Sequence, residues 1–191
     1  MTREELEHAI RAACDVAQDD AVYVFGSQAI LGQYPDAPAA LRQSPEADIA
    51  PVNAIDMVDV IDASLGEPSP FHQAFGYYVH GVAIEAAVLP AGWQRRAIAV
   101  RNANTGNGTS WCVEAHDLAA SKLVAFREKD REFVRTLIAE RTGGAAKAAA
   151  ADQAIARWRP ATRRITRDHR CMDQGHRARS RPRIRVSRAT P

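Results

Sequence analysis

The chain has 191 residues, 46% of them hydrophobic, and a net charge of +2, enough for one domain with a sizeable core. No run of eighteen apolar residues occurs, and MTREELEHAI lacks the basic and apolar regions of a secretion signal, so neither a membrane span nor a leader is expected. Cys14, Cys112 and Cys171 lie far apart with no C-x-x-C pair, which fits a reducing cytoplasm and argues against a disulfide framework or a structural zinc site.

Thr2 and Glu5 have the capping-box spacing, and Leu6, Ile10, Ala13 and Ala17 then recur at helical intervals. Ala21 to Phe25 (AVYVF) reads as a buried strand, and Ser27 to Gln33 as a short helix ended by Tyr34-Pro35. Residues 35–45 hold Pro35, Pro38 and Pro45 and read as an ordered loop or a helical turn. Ala47 to Val52 is a second strand, with Pro51 at an edge or at its end. Asn53 is expected to cap a helix over Ala54–Leu65 that stops at Gly66. Val82 to Leu89 is predicted as a third strand, and Arg96–Arg101 with Ser110–Glu114 as a strand pair joined by the loop NANTGNG, whose Asn107-Gly108-Thr109 is a turn. Two helices, about 116–128 and 130–141, precede Gly143-Gly144. This order predicts an α/β fold: a small mixed sheet flanked by helices, followed by C-terminal helices.

A composition break divides the chain. Residues 1–144 carry 12 basic and 20 acidic side chains, whereas 145–191 carry 13 and 3, twelve of those basic residues being arginine. The expected division is therefore a folded domain over 1–142 and a basic tail over 143–191, too poor in large apolar residues to offset its ordering entropy. That tail is either a nucleic-acid-binding segment or an out-of-frame reading of GC-rich DNA. His169, Cys171 and His176 within it fit no standard metal spacing.

VFGSQAILGQ is a strand that breaks on Gly26-Ser27 and turns at once into a helix. Glycine lets backbone approach a ligand, and a following helix start favours an anion; equally, the pair is ordinary packing punctuation. Glu46 and Asp48 follow. At positions i and i+2 of a strand they share one face, roughly 6.6 Å apart, between apolar Ala47 and Ile49. Such a pair is costly unless solvated or neutralised, and hard oxygen donors suit magnesium. Lys122 lies inside the apolar stripe of its helix, in line with Leu118 and Phe126, so its ammonium either meets an anion or snorkels to the margin. His72 and His80, among Phe71, Phe75, Tyr77 and Tyr78, read as core or a base-stacking wall. Asp56, Asp59 and Asp62 read as a solvated helix face.

The strand ending in Gly-Ser, the short helix and the acidic-x-Asp strand resemble the polymerase-β-type nucleotidyltransferase superfamily. Taken in order, GSQAILGQYPDAP, EADI, FGYYVHGV, AVLPAGW and HDLAASKLVAFREKDREFV resemble a group of small bacterial nucleotidyltransferase-like proteins, distantly similar to the toxins of abortive-infection (type IV toxin–antitoxin) systems. The resemblance covers residues 1–141. It implies an Mg²⁺-dependent transfer of NMP from an NTP to a hydroxyl of RNA (tRNA, for instance), a protein or a small molecule. It implies that Gly26 and Ser27 hold phosphates, that Glu46 and Asp48 hold metal, and that Lys122 neutralises the triphosphate. Lys129 and Arg131 become phosphate or RNA contacts by the same resemblance. Two departures stand out: Glu46 replaces the usual Asp, and eighteen residues separate it from Ser27. The superfamily's third acid can only be Glu85, which is either a metal ligand or a strand-edge carboxylate.

Overall fold

The Thr2 hydroxyl accepts from the Glu5 N–H at 3.2 Å while the Glu5 carboxylate accepts from the Thr2 N–H at 2.7 Å, the reciprocal cap that the spacing predicts. It opens α1 (Arg3–Ala17), whose stripe of Leu6, Ile10, Ala13 and Ala17 is buried. The computed structural model describes residues 1–106 and 108–142; the readings on Asn107 and on the basic tail lie outside the described residues.

Five strands form one mixed sheet: β1 (Ala21–Phe25), β2 (Glu46–Pro51), β3 (Tyr78–Gly81), β4 (Ile98–Val100) and β5 (Thr109–Cys112), in spatial order β3-β2-β1-β5-β4. The β1 strand runs antiparallel to β2 and parallel to β5; β2 and β3 are parallel, and β4 and β5 are antiparallel. The helices are α2 (Ile30–Gln33), α3 (Val58–Leu65), α4 (Pro70–Phe75), α5 (Ala115–Ala125) and α6 (Glu128–Thr142). α1 packs on β1, β2, β3 and α3, while α5 packs on α6 and α2. Val22, Val24, Ile49 and Val79 are fully buried, each contributing on the order of 1.5–3 kcal/mol. The α/β class, the mixed sheet and the two C-terminal helices are as the sequence predicts.

Two local expectations are corrected. The third strand is Tyr78–Gly81, not Val82–Leu89. Pairing with β2 ends at the Val82 N–H, which donates to the Ile49 carbonyl, and the chain then closes a 3₁₀ turn over Ile84–Ala86. Gly81 fixes the register of β3 on α3, since a Cβ there would lie 2.3 Å from the Val58 carbonyl oxygen. Asn53 caps no helix: its backbone and side-chain N–H groups donate to Asp19 at 2.6 and 2.9 Å, and α3 begins at Val58 after a 3₁₀ turn over Ile55–Met57. Gly66 does end α3, and Asp56, Asp59 and Asp62 are exposed. Pro51 ends β2, which is an interior strand.

Candidate metal centre

Strand periodicity buries Ala47 and Ile49 completely and leaves Glu46 and Asp48 half-buried on the other face of β2. The neighbouring parallel strand repeats the alternation, with Val79 and Gly81 buried. In register, Glu46 stands beside Tyr78 and Asp48 beside His80. The Tyr78 hydroxyl donates to Glu46 Oε2 at 3.2 Å. Nδ1 of His80 lies 3.0 Å from Asp48 Oδ1 and 3.2 Å from Glu46 Oε1. One ligand atom from each of Glu46, Asp48 and His80 falls within 4.8 Å of the other two, the spacing of a cation site.

The electrostatics show how crowded this face is. Burial first, and then Glu46, push the Asp48 carboxyl up to about 6, with His80 opposing. Burial works against a charged His80, yet its hydrogen bond to Asp48 and the charges of both acids carry its pKa above the usual histidine value. Two carboxyl groups and one imidazole are thus crowded on one face, an arrangement that a divalent ion would neutralise.

Gly26 is the floor of this group. Its φ is +66°, and a Cβ on it would stand 1.8 Å from Asp48 Oδ2. The expected approach of backbone to ligand is therefore, first, an approach of backbone to the acid. The helix beyond is only a 3₁₀ turn, Ser27–Ala29, and the four residues of α2. Its short length leaves little dipole for an anion. What Ser27 meets is Lys122: the ammonium donates to its hydroxyl at 2.9 Å.

Lys122 points inward, as its place in the stripe predicts, and is 8% exposed. It lies 3.4 Å from Asp130 Oδ1 and 4.4 Å from the centre of the Phe133 ring. Burial lowers its pKa and Asp130 works against that shift. Asp130 is fully buried and also accepts from the Arg127 guanidinium at 2.6 Å and from the Arg127 N–H at 3.3 Å. It thus serves the start of α6 from inside the helix, through the Arg127 N–H. Phe126 is exposed, because α5 ends there in a left-handed residue. Lys129 and Arg131 are exposed, the latter with its guanidinium 5.3 Å from the Phe126 ring.

A cavity of about 290 Å³ joins these groups. Gly26, Asp48 and His80 line one side, Lys122, Arg127 and Asp130 another, and the aliphatic side chains of residues 82–89 and α5 supply apolar wall. A larger hollow of about 530 Å³ lies between residues 33–41 and α6, away from the acid pair.

Of the residues singled out from sequence, Gly26, Ser27, Glu46, Asp48 and Lys122 come together. Glu85 does not join the cluster. It sits exposed on the 3₁₀ turn, not on a strand as expected, because that segment leaves the sheet at Val82. His80 is the ligand-type residue that the sequence reading assigned to an aromatic wall; that wall is built instead from His8, Phe71, Phe75 and Tyr77, with rings 4.6–6.1 Å apart. The alternation in Tyr78-Val79-His80-Gly81 puts His80 on the less buried face of β3, and the β2–β3 register then sets it beside Asp48.

The donor set suits a divalent cation: two carboxylates and an imidazole on a rigid sheet, with Asp48 seated against the backbone of Gly26. Among the described residues no helix is long and apolar enough to cross a membrane. No family model, curated protein or solved structure matches this chain.

Proposed function

We propose that the chain is a divalent-cation-dependent nucleotidyltransferase, moving a nucleoside monophosphate from a nucleoside triphosphate to an acceptor hydroxyl. The observation that carries this reading is the meeting of Lys122 with Ser27 at the Gly-Ser turn, with Gly26, Asp48 and Lys122 lining one cavity. Acid groups on one wall, with the buried Lys122 and the exposed Arg127 on the other, suit a metal-bound polyphosphate. Glu46 and Asp48 hold the cation, with magnesium the ion implied by the family resemblance. A cation bound there supplies charge neutralisation at the transferring phosphoryl group. Lys122, with its charge balanced by Asp130, is free to shift one hydrogen bond from Ser27 to a phosphate oxygen. Arg127 adds a second cation at the cavity's mouth.

In the reaction, the acceptor oxygen bonds to the α-phosphorus as the bond to pyrophosphate breaks. Pyrophosphate leaves with the electron pair, and the hydroxyl proton passes to water. Positioning and charge neutralisation supply most of the acceleration in such transfers.

Calorimetry of ATP with and without Mg²⁺ or Mn²⁺ tests the reading. Cation-dependent binding is expected in the wild type, reduced at least tenfold in Asp48→Asn and in Lys122→Met. A folded wild type that binds no nucleoside triphosphate under either ion overturns it.

One observation favours a second reading, a nucleotide-binding module without catalysis. Glu85, the third acid implied by the resemblance, stands on an exposed turn outside the cluster. Under that reading nucleotide binds with a cation, yet no pyrophosphate is released with any acceptor.

A further inference from the structure

We infer that His80 is the third protein ligand of the cation, and that the site therefore takes a first-row transition ion, manganese through zinc, in preference to magnesium. The inference rests on the cation site of the proposed function and goes beyond it in naming the ligand and the ion class.

Three observations carry it. The first is position. β2 and β3 are parallel and in register, so the backbone itself sets His80 beside Asp48 on the face that Glu46 shares. Gly81, which admits no Cβ against α3, prevents β3 from sliding. The second is aim. The same ring atom, Nδ1, lies 3.0 Å from Asp48 and 3.2 Å from Glu46, so one nitrogen and two oxygens converge on one point. The third is access. Asp48 and His80 both line the cavity that Lys122 and Arg127 face, so an ion held by this triad retains open positions toward a ligand.

The chemistry of selection follows from the donors. Magnesium dehydrates reluctantly and takes oxygen; imidazole raises affinity for manganese, iron, cobalt, nickel and zinc. Replacing a third carboxylate by imidazole also lowers the negative charge of the site by one, which weakens its hold on a hard ion. Glu85, the acid that the resemblance offers for that third oxygen, is on the turn outside the triad.

The test uses the full chain with MnCl₂ and MgCl₂ as probes. Titration calorimetry is expected to show Mn²⁺ binding at least tenfold tighter than Mg²⁺. Pulsed electron paramagnetic resonance of the bound Mn²⁺ is expected to show coupling to one imidazole nitrogen. His80→Ala should remove that coupling and cost Mn²⁺ at least tenfold in affinity, and His80→Asp should bring the two ions within about threefold of each other. Mg²⁺ binding as tightly as Mn²⁺, or bound Mn²⁺ without nitrogen coupling in the wild type, overturns the inference. The wild-type spectrum decides the matter even where a variant fails to fold. Binding of Mg²⁺–ATP without nitrogen coupling removes this inference and leaves the nucleotidyl reading. Nitrogen coupling without any nucleotide binding does the reverse.

Discussion

Asp48 lies directly against the backbone of Gly26, its Oδ2 1.8 Å from where a Cβ would be. Two constraints act on that glycine at once, its φ of +66° and the carboxylate above it. Gly76 separates them: its φ is +75° and nothing lies within 4 Å of its missing Cβ. Gly76→Ala should cost only the left-handed strain, about 1 kcal/mol. Gly26→Ala should cost at least about 2 kcal/mol by the same measure and also displace Asp48, weakening cation binding. Urea denaturation and Mn²⁺ titration of both variants check this. Equal losses at the two glycines would remove the Asp48 contact from the account.

Lys122 and Asp130 form a buried pair whose members are unequally replaceable. Asp130 keeps the Arg127 guanidinium and N–H when the lysine is removed. Lys122 without Asp130 keeps only the Ser27 hydroxyl and the Phe133 ring. Lys122→Met, which preserves the packing on Phe133, should therefore cost little stability, about 1 kcal/mol. Asp130→Ala should cost about 3–5 kcal/mol, because it strands a buried ammonium. Equilibrium denaturation gives both values, and the opposite order would show that Lys122, not Asp130, anchors the pair.

These two relationships also mark how far the sequence can be read. Gly26, Glu46, Asp48 and Lys122 were legible because each breaks a local pattern: a glycine where a strand ends, acids on a half-apolar strand, a lysine in an apolar stripe. His80 was not legible in the same way. A histidine among aromatics breaks no pattern, and its meaning comes from the β2–β3 register, a non-local fact. The apolar run 82–89 then drew the third strand four residues too late, carrying Glu85 onto a strand that does not exist. The role of Asp130 in balancing Lys122 likewise depends on how α5 and α6 pack.

Asp19 offers a pH test away from the site. Burial alone would raise its pKa, but it accepts from the N–H groups of Ala21, Asn53 and Ala54 and from the Asn53 amide, and the balance lies below the ordinary carboxylate value. A carboxyl depressed by folding stabilises the native state above its unfolded pKa, near 4, and that contribution is lost as pH falls through the folded value. Asp19→Asn should thus destabilise the chain at pH 7, by about 1–3 kcal/mol, and the gap to wild type should narrow below about pH 4. Thermal melts from pH 3 to 7 check the trend; a gap independent of pH would assign the loss to geometry.

Asp48 has the opposite sign. Burial and Glu46 raise its pKa to about 6, so the folded state binds a proton more readily than the unfolded chain does. In cation-free protein its contribution is most favourable below its unfolded pKa, near 4, and worsens as pH rises through 6. Asp48→Asn, which keeps the shape without the charge, should therefore raise the melting temperature of the cation-free chain at pH 7.5. The gain should fade toward pH 5, as the wild-type carboxyl takes up its proton. Saturating Mn²⁺ should reverse the order, stabilising wild type and leaving Asp48→Asn nearly unchanged, because only the wild type gains a bound ion that the unfolded chain lacks. A strained acid that becomes stabilising on adding an ion is held for that ion. Melting curves at pH 5 and 7.5, with and without Mn²⁺, would instead show Asp48 as an ordinary structural partner of His80 if Asp48→Asn lost stability in all four conditions.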